Sequence, residues 1–207
     1  MDIGSAFLNA KFPEHLTVLM KLDKFTTSAL VNLPRGEQYR NYILNDGSMI
    51  VKLKKALYGH PLASMLWYKH LSNTLAEAGY KRLIADKCVF TKIVGDSISI
   101  ICLHVDDILH VYSRSEIQER LEDVLIKTYK NVTTHTGEEL NYLGMCIKFD
   151  RNLHCIYLDQ RGYINEILQH SSTSNAKPFR LLLRNFLRIN LPQNKIWKRL
   201  ERFLLMN

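Results

Sequence analysis

From Ala63 to Ala78 the apolar residues Leu66, Trp67, Leu71, Leu75 and Ala78 recur every three or four positions. That is the period of a helix with one buried face, and Gly79 offers a natural stop. Further along the rhythm changes. Cys88 to Val94 and Ser97 to Leu103 are strand-like runs separated by Gly95-Asp96, a two-residue hairpin signal. A third run, Ile108 to Tyr112, follows His104-Val105-Asp106-Asp107, so an antiparallel meander is predicted. The helical period returns from about Glu116 to Tyr129, with Ser115 as its predicted cap and Ile117, Leu121, Val124 and Leu125 as its apolar stripe. Two short strands, near Tyr142 to Phe149 and His154 to Leu158, are predicted to pair across Asp150-Arg151-Asn152, and a helix from about Arg161 to Gln169 follows. Toward the start, Ile3 to Leu8 is a short apolar opening. Residues 11–45 mix polar side chains with Pro13, Pro34 and Gly36 without a sustained period and read as loop with short elements. Met49 to Leu57 reads as a strand running into a turn at Tyr58-Gly59-His60-Pro61.

The order strand, helix, three strands, helix, two strands, helix implies an α+β fold with helices gathered on one face of a mainly antiparallel sheet. At 207 residues, with 46% hydrophobic and 23% charged positions, the chain suits one globular domain and not a disordered or low-complexity segment. Residues 1–170 are expected to form that domain, and 171–207 a basic tail without assigned structure. No run approaches the roughly 20 apolar residues of a membrane span, and the N-terminus lacks a signal-peptide layout, so an intracellular protein, cytoplasmic or nuclear, is expected. Cys88, Cys102, Cys146 and Cys155 stand singly in apolar runs and read as buried free thiols. The net charge of +8 is concentrated in the tail: residues 171–207 hold eight Lys or Arg against Glu201 alone, while residues 1–170 hold 20 basic against 19 acidic side chains. Basicity therefore does not mark the body as a nucleic-acid binder. In the tail, Ile196, Trp197, Leu200, Phe203 and Leu204 share one helical face opposite Lys198, Arg199 and Arg202, with Lys195 at its start. Such a helix suits a nucleic-acid backbone or an anionic membrane, although an unrelated basic extension would read the same way.

Three acids sit in apolar strand-like surroundings, where a carboxylate is costly unless something offsets it: Asp2, Asp106 and Asp107. Asp106-Asp107 is either a polar turn between strands or a metal-binding point. Adjacent strand residues point to opposite faces, so one of the two is the principal ligand. If the strand of Asp2 lies beside the hairpin, its carboxylate joins Asp106 in an oxygen-rich set suited to two Mg²⁺ ions, which would support nucleotidyl transfer or, equally, metal-dependent nuclease chemistry.

Met1-Asp2-Ile3-Gly4-Ser5-Ala6-Phe7-Leu8-Asn9 resembles the first catalytic motif of copia-type retrotransposon reverse transcriptases. Further blocks follow in that family's order: Val51 to Gly59, Leu66-Trp67-Tyr68, Asp86 to Phe90, His104-Val105-Asp106-Asp107, Tyr142-Leu143-Gly144-Met145 and Leu158 to Ile164. The resemblance implies a palm-like antiparallel sheet whose fingers are largely missing. It implies Asp2, Asp106 and Asp107 as catalytic acids, Asp2 and Asp106 as ligands of Mg²⁺ (or Mn²⁺), and Phe7 beneath the sugar of a deoxynucleoside triphosphate. It also implies Leu143-Gly144 as the turn that grips a DNA primer on an RNA template. Trp67, Tyr68, His104 and His110 are read as packing or strand residues. Leu62 stands where the family usually places a polar residue, and Asp2 is one residue from the first, so weak polymerase activity is expected. The competing expectation is a catalytically silent remnant that binds nucleic acid through Lys195, Lys198, Arg199 and Arg202.

Overall fold

The computed structural model describes residues 1–153, 155–170 and 189–190. In chain order they form β1 (Asp2–Ile3), β2 (Val18–Leu22), α1 (Lys24–Val31), β3 (Met49–Leu53), α2 (Ala63–Glu77), β4 (Lys81–Arg82), β5 (Val89–Val94) and β6 (Ser97–His104). There follow β7 (Asp107–Tyr112), α3 (Ser115–Tyr129), β8 (Val132–Thr133), β9 (Glu139–Tyr142), β10 (Met145–Asp150), β11 (Cys155–Asp159), α4 (Arg161–His170) and β12 (Ile189–Asn190). Ser5–Thr74 is one compact unit; Met1–Gly4 together with Leu75–Asn207 is the other.

In the Ser5–Thr74 unit, β2 and β3 form an antiparallel ribbon running from Val18↔Leu53 to Leu22↔Met49. Met49, Val51 and Leu53 alternate inward while Ile50 and Lys52 face out, as a half-buried strand requires. The Asp23 carboxylate accepts the Thr26 N–H at 2.7 Å and so caps α1. Asp46 accepts from Lys21 Nζ at 2.8 Å and from the Ser48 N–H at 2.9 Å; these bonds hold its pKa below the usual carboxylate range, the Lys21 bond foremost. β2 and α1 are ordered where the sequence suggested mostly loop. The reason is that α1 buries only Thr27 and Val31, and Leu19 of β2 is exposed, so neither segment carries a sustained apolar period.

The second unit is built on a sheet of order β4-β5-β6-β7-β1-β8, antiparallel at every pairing. The β5–β6 hairpin closes at Val94↔Ser97 and the β6–β7 hairpin at His104↔Asp107, so side chains separate cleanly by face. Phe90, Ile101, Leu103 and Ile108 share one face and are at most 8% exposed; burying each contributes about 1.5–3 kcal/mol. α3 packs on β7 and β8 and turns Leu121, Leu125 and Tyr129 inward. Within this face the Tyr80 hydroxyl meets Ser99 Oγ at 2.9 Å, and Ser99 Oγ meets His110 Nε2 at 2.8 Å. The opposite face carries His104, Cys102, Asp107 and Leu109, all exposed or half-buried. A second antiparallel sheet has the order β12-β11-β10-β9.

Two local readings are corrected. Ser115 is not the cap of α3. Arg114 takes that position with extended backbone and no side-chain cap bond, because Ser113 is pinned to β6, donating its N–H to the Ile98 carbonyl and accepting the Ile98 N–H on its hydroxyl. The four cysteines are free, but only Cys155 is buried; Cys102 and Cys146 are half-buried and Cys88 is exposed, at a turn where its N–H donates to the Asp86 carboxylate at 2.8 Å. Among the described residues no helix is long and apolar enough to cross a membrane.

Candidate active site

β1 lies between β7 and β8. The Met1 ammonium donates to the Ile108 carbonyl at 2.8 Å, and the Ile108 N–H donates to the Met1 carbonyl at 2.8 Å. Met1 and Ile108 are therefore a hydrogen-bonded pair, and the next pair along, Asp2↔Asp107, is of the close non-hydrogen-bonded kind, with side chains on one face about 4.5 Å apart at the Cα atoms. That is the face not covered by α3. Asp106 sits at the second position of the tight turn Val105-Asp106, one residue from the pair. The sequence reading joined Asp2 with Asp106; the register instead puts Asp107 directly opposite Asp2 and Asp106 at the tip of the turn. Asp2 is exposed, Asp106 and Asp107 half-buried.

The turn is held in an unusual backbone state. Val105 has φ 55°, a left-handed value that costs an L-residue roughly 1–2 kcal/mol and a β-branched one most. Burial lowers the pKa of the Met1 ammonium, opposed by the charges of Asp107, Asp2 and Glu122. Among the described residues no three His, Cys, Asp or Glu side chains come close enough to enclose a metal ion by themselves. Mg²⁺, however, is commonly bound by one or two carboxylates with substrate phosphates and water completing the set, and the hard oxygens of this carboxylate pair and its neighbour fit that demand.

Leu143-Gly144 forms the turn between β9 and β10, closed by Tyr142↔Met145. Both residues have positive φ, 51° and 75°, the signature of the mirror-image turn preferred in hairpins. A Cβ built on Gly144 meets nothing within 4 Å, so the backbone angle and not crowding explains glycine there. Tyr142, the first residue of the Tyr142-Leu143-Gly144-Met145 block, has its phenol pKa pushed up to about 12, by burial first and then by the charges of Cys102 and Asp107. Phe7, in the Ser5–Thr74 unit, is 8% exposed, and its ring lies 4.4 Å from that of Tyr58. Leu62 donates its N–H to His60 Nδ1 at 3.1 Å. Lys195, Lys198, Arg199 and Arg202 lie outside the described residues.

Residues 1–183 match the model of the family described as reverse transcriptase (RNA-dependent DNA polymerase). The chain is 29% identical over 191 residues to the retrovirus-related Pol polyprotein from transposon TNT 1-94 of Nicotiana tabacum, covering 92% of this chain and 13% of that protein. It is 33% identical over 129 residues to the Pol polyprotein from transposon RE1 of Arabidopsis thaliana, covering 62% of this chain and 8% of that protein. It is 26% identical over 177 residues to a putative transposon Ty5-1 protein of Saccharomyces cerevisiae, covering 86% of this chain and 51% of that protein. The chain thus spans about half or less of the length of each of these relatives. No solved structure matches. An antiparallel sheet carrying paired acids, and a family match over most of its length, place this chain in the reverse transcriptase family, as the corresponding part of copia-type retrotransposon Pol polyproteins.

Proposed function

We propose that the sheet β4-β5-β6-β7-β1-β8 is the palm of an RNA-directed DNA polymerase and that Asp2, Asp106 and Asp107 are its catalytic acids. The observation that carries this reading is the Asp2↔Asp107 pair, set on the open face of the sheet beside the Val105-Asp106 turn. Asp2 and Asp106 would hold the metal, with Asp107 the supporting acid that faces Asp2. The chemistry supplied by two bound Mg²⁺ or Mn²⁺ ions is activation of a primer 3′-hydroxyl and stabilisation of the pyrophosphate leaving group. Phe7 would exclude a 2′-hydroxyl and so favour deoxynucleoside triphosphates, and the Leu143-Gly144 turn would position the primer end on its RNA template.

Activity of the chain by itself is expected to be weak, because Leu62 offers no hydrogen bond where the family usually places a polar residue. The test is Mg²⁺-dependent extension of a DNA primer on an RNA template, with Asp106→Asn alongside. Loss of incorporation in the variant is the expected result, and incorporation that survives it sinks the reading. Leu62 and the basic tail favour a second reading, a silent remnant that binds nucleic acid through residues 171–207. It requires salt-sensitive binding that disappears on deleting those residues.

A further inference from the structure

Alternation along β5 turns Phe90, Lys92 and Val94 to the helix-covered face of the sheet. Apolar residues suit all three positions, yet the middle one is a half-buried lysine. Its ammonium donates to the Ala78 carbonyl, just past the end of α2, at 2.7 Å and stands 5.4 Å from the centre of the Tyr80 ring. That bond engages one of three N–H donors. Lys92 also lines a cavity of about 310 Å³ between the end of α2, β5 and α3, at the small end of the roughly 300–1,000 Å³ typical of small-molecule sites. Most of the lining is apolar: Tyr80 and Leu121 are buried, while Val94, Ile117 and Val124 remain exposed or half-buried. The Tyr80 hydroxyl is bonded to Ser99 Oγ at 2.9 Å, which leaves the ring as what Tyr80 offers the cavity. The charged residues of the lining are Lys92, Arg120 and Asp123, two cations against one acid. Among the described residues neither cation has a carboxylate at ion-pair distance.

We propose that this cavity binds a small amphipathic monocarboxylate, its apolar body against Tyr80, Ile117, Leu121 and Val124 and its carboxylate met by Lys92 and the Arg120 guanidinium. The lysine supplies a point charge held in place by the Ala78 carbonyl. The guanidinium supplies a planar fork that matches both oxygens of a carboxylate. A cation already fixed in position loses less entropy when the ligand arrives. Covering Val94, Ile117 and Val124 removes apolar surface from water, which is the driving term for the body. Asp123 sets the charge class. A surplus of one positive charge balances a monoanion, whereas a second negative charge on the ligand would meet the Asp123 carboxylate as a like charge. A neutral ligand of the same shape leaves both cations without a partner. The cavity lies on the face of the sheet opposite Asp2 and Asp107, so this binding stands or falls apart from the polymerase reading.

The probe is 4-phenylbutyrate, added to the full chain while backbone amide signals are followed by NMR. The signals of Val94, Ile117, Leu121 and Val124 are expected to move together and to saturate with a dissociation constant on the order of 1 mM. Arg120 is exposed, so Arg120→Gln is expected to leave the fold intact and to weaken binding about fivefold or more. The uncharged 4-phenylbutanamide is expected to bind about tenfold more weakly than the acid. The same loss is expected for 3-phenylpropyl phosphate, a dianion at pH 8, and Asp123→Asn should recover about threefold of it or more. No saturating shift at about 10 mM acid overturns the proposal. Equal binding of acid and amide overturns it too, as does undiminished binding by Arg120→Gln, since either would mean that the cavity takes apolar bodies without reading charge. Equal binding of phosphate and carboxylate would remove the monoanion class and overturn it as well.

Discussion

β6 is joined to its neighbours by a two-residue turn at each end, and the two turns are built to different standards. At one end, Gly95-Asp96 places glycine at the position with φ 58°, where the absence of a Cβ makes the left-handed state free of strain. At the other, Val105-Asp106 places a β-branched residue at nearly the same angle, φ 55°. Same strand, same turn length, same backbone demand: one end meets it with the residue the turn prefers, the other with one of the residues it tolerates least. The strained end is the one beside Asp2, Asp106 and Asp107. Strain of this kind persists where the surroundings over-determine it, commonly at functional sites, and here the His104↔Asp107 pair and the Met1–Ile108 bonds clamp the turn from both sides.

The sharpest way to break the comparison is to remove a carboxylate from each turn. Asp106→Asn is expected to lower primer extension by about a hundredfold or more, and Asp96→Asn to leave it unchanged; equal losses would mean the two ends do not differ in function. Next in size is a pH effect on the strand leaving the strained turn. Burial pushes the His110 pKa down to about 4. The unfolded chain then binds a proton at a pH where the folded chain does not, so stability is complete above pH 6.5 and falls as pH drops from there toward 4. The loss is about 2–3 kcal/mol at full effect. Urea midpoints at pH 7 and pH 4.5 would show it, and His110→Leu should remove this part of the pH dependence.

Two turn swaps complete the series. Gly95→Val imposes the strain of the acid-bearing end on the relaxed end; nothing lies within 4 Å of the added Cβ, so the cost is conformational, about 1–2 kcal/mol, with incorporation per folded molecule unchanged. Val105→Gly does the reverse. Relief of strain is offset by the added freedom of the unfolded chain, for a net gain below about 1 kcal/mol, while incorporation falls several-fold as the turn loosens. An active, more stable Val105→Gly chain would show that the strain has no role in holding Asp106.

Much of this was legible in the residues. The three-and-four spacing of Leu66, Trp67, Leu71 and Leu75 marked α2, found over Ala63–Glu77, and Gly95-Asp96 marked the β5–β6 hairpin. The run read as one strand, Tyr142 to Phe149, is broken by the Leu143-Gly144 turn, with Glu139–Tyr142 paired back onto it; leucine at positive φ is a poor turn signal, so the hydrophobic pattern read through a turn that only the family resemblance named.

The sequence by itself determined the elements with strong period, the order of the motif blocks and, through them, the family, because those depend on residues close together along the chain. It also supplied the three acids. Which acid faces which, and the turn that strains Val105 to hold them there, were decided by tertiary structure. Register between β1 and β7 joins residues more than a hundred positions apart, and a shift of one residue would exchange Asp107 for Asp106 or Ile108 opposite Asp2. The hydrogen-bonded pairing of Met1 with Ile108, together with the pairing of β1 against β8, fixes it.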